Sequence, residues 1–195
     1  TFPHGLGSAP DMVWLKSRTS SNYWAIYHSA LGLKLGFLGS SLGSNAFISS
    51  TFWNAVSDST VKFQSNGNLS ATDEDIIAYC FKSIEGYSKA GSFSGNNSTN
   101  FVHTGFRVAW LIIKNADEGT GANWGIFDNT RPDGTGATSG VKFLQADIPN
   151  AEGNSGTVSC FFFSNGFEIG TSNIMSNKSG DNFIYLAFAD QPFKF

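Results

Sequence analysis

The chain states one pattern twice. Residues 12–28 read MVWLKSRTSSNYWAIYH, and about a hundred residues later 110–128 read WLIIKNADEGTGANWGIFD. Lys114 stands where Lys16 stood, Trp124 where Trp24 stood, Ile126 where Ile26 stood, and Phe127 where Tyr27 stood. Further matches keep the same order: Phe2 and His4 with Phe101 and His103, FQSNG from Phe63 with FFSNG from Phe162, and IIAYCF from Ile76 with FIYLAF from Phe183. Five ordered matches make chance a poor explanation. A repeat of about 98 to 107 residues is too long for a solenoid unit and long enough for a sandwich-sized module. The division that follows is a first β unit over 1–90, a linker over 91–100 and a second β unit over 101–195. The linker is read from SKAGSFSGNNSTN, Ser88 to Asn100, a Gly/Ser/Asn stretch with one aromatic.

Each matched piece reads as a strand. Side chains alternate along a strand, so Trp24, Ile26 and His28 share one face, as do Trp124, Ile126 and Asp128. The first two of each trio are expected in the core, together with Phe63, Phe81, Phe162 and Phe188. MVWL and WLII do not alternate, which fits central strands covered on both faces. SNG between apolar runs signals a hairpin, at Asn66 and again at Asn165. No sustained 3.6-residue period appears; STFWNAVSD around Trp53 and LQADIPNAEG around Ile148 are the places for single helical turns. The expected class is all-β.

Charged residues make up 14%, against roughly 25% in an average soluble domain. Polarity comes instead from Ser, Gly, Asn and Thr, 78 of 195 residues, the residues of turns and uncharged hydrogen-bonding surfaces. Nine Lys and three Arg are scattered under a net charge of −3, so no basic stripe is available to neutralise a nucleic-acid backbone. Apolar runs such as 111–113 and 160–163 fall far short of the roughly 20 residues a membrane helix needs. The chain opens at Thr1 without a leader pattern and reads as a processed or excised fragment. Cys80 and Cys160 lie inside apolar runs, as small buried residues do; a single disulfide between them is the alternative.

Catalytic patterns occur without their contexts. GSSLG puts Ser41 in the nucleophile place of G-x-S-x-G, but no helix-forming segment follows it. Asp73 and Asp75 are paired carboxylates of the kind glycoside hydrolysis uses, yet they read as a solvated turn before IIAYCF. His4 and His103 lack a second ligand at metal spacing, and the Asp/Asn/Gly clusters NADEGTGAN and NKSGDN lack the ordered spacing of a calcium loop. No catalytic residue, metal or cofactor is expected. Two loops stand out for a ligand. One carries Trp53 beside Asn54, a ring that either caps the core or serves as a stacking platform. The other brings Asp128, Asn129 and Arg131 together beyond a core strand, as either a binding rim or a self-bonded turn.

The phrases GLGSAPDMVWLKSR, IIAYCFKSIEGYSKAGSFSGN, FVHTGFRVAWLIIK, IFDNTR, FFSNGFEI and IYLAFADQPFKF together resemble a duplicated domain found in phage tail fibre and virion structural proteins. The resemblance runs from Phe2 to Phe195. It implies a β-sandwich of jelly-roll or lectin-like type, a place in the virion, and a role in fibre structure or host attachment. Implied partners are other virion subunits and a host-surface glycan, in a homo-oligomer that for fibres of this kind is often a trimer. No catalytic residue carries over. A non-enzymatic glycan-recognition module is the leading expectation, a purely structural spacer the second, and a polysaccharide depolymerase the third.

Overall fold

A computed structural model describes residues 1–39, 45–64, 75–119, 121–131, 141–155, 158–170 and 173–192. The strands of the first half are β1 (Phe2–Pro3), β2 (Met12–Ser17), β3 (Trp24–His28), β4 (Gly36–Leu38), β5 (Trp53–Val56), β6 (Thr60–Phe63) and β7 (Ile76–Phe81). Those that follow are β8 (Ser88–Ser94), β9 (Asn100–His103), β10 (Val108–Asn115), β11 (Gly125–Asp128), β12 (Val141–Gln145), β13 (Gly153–Ser155), β14 (Ser159–Phe163), β15 (Gly166–Gly170) and β16 (Asn182–Ala189). Among the described residues the single helical piece is a 3-10 turn at Ser29–Leu31. The protein is all-β. Trp53 begins a strand, and the segment around Ile148 is an extension of β12 into a turn, so neither forms the helical turn its sequence allowed.

Four antiparallel sheets stack into layers. The inner sheets run β4-β3-β2-β7 and β13-β12-β11-β10-β16-β8; the outer ones run β1-β6-β5 and β14-β15-β9. Alternation along β2 explains the stacking. Val13 and Leu15, with Ala25 and Tyr27 of β3, pack on Phe52, Trp53 and Val61 of the first outer sheet. Met12, with Ile26 and Leu38, points the other way and packs on Ile112, Trp124, Ile184 and Leu186 of the second inner sheet. Beyond that sheet, Leu111, Ile113, Phe127, Phe183 and Tyr185 meet Cys160, Phe167 and Ile169 of the second outer sheet. Two sandwiches thus sit back to back, and each central strand is covered on both faces as its unbroken apolar run requires.

The matched strands take matching places. β2 lies between β3 and β7 as β10 lies between β11 and β16. Register agrees residue by residue: Trp14 opposes Ile26 and Lys16 opposes Ile77, while Ile112 opposes Ile126 and Lys114 opposes Ile184. The outer sheets also share an order, β1-β6-β5 and β9-β15-β14. That order corrects one match. Phe63 lies on β6 and Phe162 on β14, whereas β6 corresponds to β15, so the two phenylalanines belong to non-equivalent strands. In the second half Ser164 and Asn165 do turn between β14 and β15; Asn66 lies outside the described residues.

The stretch that reads as a linker is largely a strand. Ser88 to Ser94 pairs with β16 over seven residues, from Phe188↔Ser88 to Asn182↔Ser94. Main-chain ladders do not depend on side-chain polarity, and Gly91 is needed there for a packing reason: a Cβ on it would stand 2.6 Å from the Tyr185 hydroxyl. The halves interlock elsewhere as well. Phe47 donates its N–H to Ala116 O at 2.8 Å, and the Trp124 indole N–H reaches Phe37 O at 2.8 Å.

Of the expected core residues, Ile26 and Trp124 are buried outright. Trp24, Ile126, Phe81 and Phe188 are half-buried around the central layer, Phe63 packs in the first sandwich and Phe162 in the second. No disulfide joins Cys80 to Cys160; Cys160 is buried and Cys80 half-buried.

Candidate functional site

The loop after β11 is built by Asp128. Its Oδ1 accepts from the N–H groups of Thr130 at 3.1 Å and Arg131 at 2.9 Å, the arrangement that lets a short acidic side chain close a turn. The same carboxylate pairs with the Arg131 guanidinium. Arg131 Nε donates to Glu152 at 2.9 Å, and Lys142 pairs with the other Glu152 oxygen at 2.9 Å. The hydrogen bonds from Lys142 and Arg131 hold the Glu152 carboxyl below its usual range. Asn129 is engaged too, donating to Asp190 Oδ1 at 2.7 Å. Arg131 and Lys142 therefore face Asp128 and Glu152, and Arg107 faces Asp190, in a rim whose donors and acceptors are turned on one another.

Trp53 and Asn54 are not part of that rim. They lie on β5 in the outer sheet of the other sandwich, and no hydrogen bond, ion pair or ring contact among the described residues joins the two places. Trp53 is 1% exposed, with ring centroids of Phe52 at 4.9 Å and Tyr27 at 5.9 Å. It caps the core and offers no face to a ligand, a correction to its candidacy as a stacking platform. The cause is local: strand alternation turns Trp53 inward and leaves its neighbour Asn54 exposed.

The remaining motif residues serve the fold. His4 bonds to Ser57 O at 2.9 Å and accepts from Leu6 N at 3.2 Å, pinning β1 to the β5–β6 turn. Asp117 Oδ2 accepts two bonds from Asn182, each 2.8 Å, while Glu118 and Asp181 pair with Lys178. Among the described residues no group of three His, Cys, Asp or Glu side chains is placed to hold a metal. Ser41 and Asp73 lie outside the described residues; Asp75 is exposed.

Two buried polar groups were not singled out by the sequence. Lys114, the partner of Lys16 in the repeat, is fully buried and donates to Ala122 O at 2.6 Å. Desolvation lowers its pKa to about 8, opposed by the nearby Asp147 carboxylate. Lys16 uses the same position to hold Ser17 O and Ser20 O, each at 3.0 Å. In both halves the lysine clamps the loop that leaves the central strand, which is an architectural reason for the echo. His28 is likewise fully buried. Its Nδ1 accepts from Ala30 N at 3.2 Å, and Nε2 faces the Tyr185 main chain without closing a hydrogen bond of normal geometry. A lysine and a histidine set among apolar strand residues were the available signals.

One cleft of about 480 Å³ opens between β1 and β7, lined chiefly by Phe2, His4, Leu6, Phe63, Ile76, Ala78 and Cys80. It contains a cysteine and a histidine but no activated thiol. Burial pushes the Cys80 pKa up, and a nucleophilic cysteine needs the opposite shift. Its walls are mixed, with Thr1 and His4 beside the apolar side chains.

A layered, antiparallel, all-β protein is the class these features define. Residues 1–192 match the family described as a domain of unknown function (DUF7483), and the chain belongs to that family. No curated protein and no solved structure matches it.

Proposed function

We propose that the chain is a non-enzymatic structural module of a virion, in a tail fibre or on the particle surface, whose two halves descend from one duplicated unit. The virion placement rests on the family-like phrases of the sequence. The structural role rests on one observation: Trp53 is sealed in the core and the Asp128–Arg131 rim is neutralised by its own partners, so both loops favoured for ligand binding are committed to the fold. Its partners are neighbouring virion subunits, and it works as a homo-oligomer, with a trimer as the form to test first. Immuno-electron microscopy of intact particles tests the placement, and sedimentation of the purified chain tests the assembly. Labelling absent from particles refutes the virion reading; a monomer at all concentrations refutes the oligomer.

Glycan recognition is the second reading, and a specific feature favours it. Phe101 and Phe163 stand 46% and 44% exposed on the second outer sheet, with ring centroids 5.9 Å apart. Glu168 lies opposite Phe101 in the register. Exposed rings beside a carboxylate suit stacking and hydrogen bonding to a neutral sugar. A glycan array probed with wild type and Phe101→Ala separates the readings: a sugar signal lost in the variant supports recognition, and a blank array supports the structural role.

A further inference from the structure

Strand alternation divides the second outer sheet into two faces. Cys160, Phe162, Val102, Phe167 and Ile169 pack into the second sandwich, so Phe161, Phe163, Glu168, Gly166, Phe101 and His103 point outward. The register lays these in two rows: Phe161, Glu168 and Phe101 across one, Phe163, Gly166 and His103 across the next. Directly opposed side chains have Cβ atoms about 4.5 to 5.5 Å apart, which sets the Glu168 carboxylate between two phenylalanines. Gly166 opens the second row. A Cβ there would lie 2.8 Å from Cζ of Phe101; in its absence the Phe101 ring extends over the glycine and meets Phe163 at 72°, with centroids 5.9 Å apart.

The fold does not require this grouping. On the first outer sheet the exposed places of β5 and β6 hold Asn54 and Lys62, a polar surface. Glu168 is also uncommitted. The Asp128 and Glu152 carboxylates are taken by Arg131 and Lys142, whereas among the described residues no hydrogen bond or ion pair engages the Glu168 side chain. Two rings near a right angle form a corner that presents their electron-rich faces, and a carboxylate beside it adds a full negative charge. Both features attract a cation, and they select among cations. A primary ammonium is strongly hydrated and loses that water on approaching a ring; a quaternary ammonium has no N–H to hydrate and offers methyl groups that pack on phenylalanine.

We propose that this face binds a quaternary methylammonium group of the choline type, with Phe101 and Phe163 packing on its methyl groups and Glu168 balancing its charge. Phe161 flanks Glu168 on the side away from Phe101. The proposal rests on the recognition reading only in taking this face as the binding surface, and it names a cationic ligand where that reading names a neutral sugar. It does not depend on the virion placement.

The probe is choline chloride, titrated into the isotope-labelled chain at constant ionic strength and followed by amide NMR. Saturable shifts centred on Phe101 and on Gly166 to Glu168 are expected, with a dissociation constant on the order of 10 mM. The neutral carbon isostere of choline, with tert-butyl in place of trimethylammonium, is expected to bind at least about fivefold more weakly, as is ethanolamine, which keeps the charge without the methyl groups. Glu168→Gln weakens choline about fivefold and Phe101→Ala about two- to fivefold. The comparison of choline with its isostere uses the wild-type chain and so does not depend on the folding of any variant. Equal binding of choline and the isostere, shifts centred elsewhere, or absence of saturable shifts overturns the proposal. Binding of a methyl glycoside at this face without a response to choline overturns it and leaves the neutral-sugar reading standing; no response to either removes both.

Discussion

Acid should loosen this protein through His28, and the window is set by burial. The imidazole is enclosed between the inner sheets, and desolvation outweighs the attraction of Asp11 and the nearby Tyr185 main chain, depressing its pKa from 6.5 to about 4. The native ring therefore stays neutral down to about pH 4, whereas the unfolded chain takes up a proton near 6.5. As pH falls between those values the unfolded state binds more protons, and stability is lost. At about 1.4 kcal/mol per pKa unit the full loss is about 3 kcal/mol, most of it complete by pH 4.5. Urea unfolding of wild type and His28→Gln at pH 7.5 and pH 4.5 isolates the effect, because other groups contribute to both proteins alike. The variant is expected to lose less stability on acidification, by about 2 to 3 kcal/mol. Parallel loss in the two proteins would refute the assignment of the buried neutral histidine.

Three further outcomes follow from the packing. Gly91→Ala places a Cβ within 3 Å of the Tyr185 hydroxyl and of two of its ring carbons and should cost about 1 to 3 kcal/mol by overpacking, read as a lowered urea midpoint; Tyr185→Phe, which keeps those ring carbons, should not rescue it. Trp53→Ala should cost about 3 to 5 kcal/mol in denaturant unfolding because the ring is enclosed, while Asn54→Ala beside it should change little. Arg131→Ala removes a half-exposed ion pair and should cost under about 1 kcal/mol, with the difference shrinking as salt is raised.

The parts of this fold that were legible in sequence are those set by side-chain pattern. MVWL and WLII gave two central strands, and Trp24/Ile26 and Trp124/Ile126 gave the face on which the sandwiches meet. Polarity misled where main chain decides: Ser88–Ser94 carries linker-like residues, yet its ladder to β16 needs only N–H and C=O groups. Residue identity also misled at Phe63 and Phe162, which open similar words but sit on non-equivalent strands because the outer hairpins turn at Ser57–Ser59 and at Ser164–Asn165. For the candidate site, Asp128, Asn129 and Arg131 do cluster as their spacing suggests. What spacing does not reveal is their occupancy, since Glu152, Lys142 and Asp190 arrive from distant parts of the chain. Trp53 illustrates the same gap, since Tyr27 and Phe63, which help enclose it, arrive from other strands.

The interlocking of the two halves through β8 is most directly tested by hydrogen exchange of the amides from Ser88 to Ser94. β8 paired to β16 along its length predicts alternating strong protection across this segment, with β8 exchanging on the timescale of β10 and β16 and losing protection only when they do. Rapid exchange of the whole segment, as in a solvated linker joining two separate units, would contradict the account.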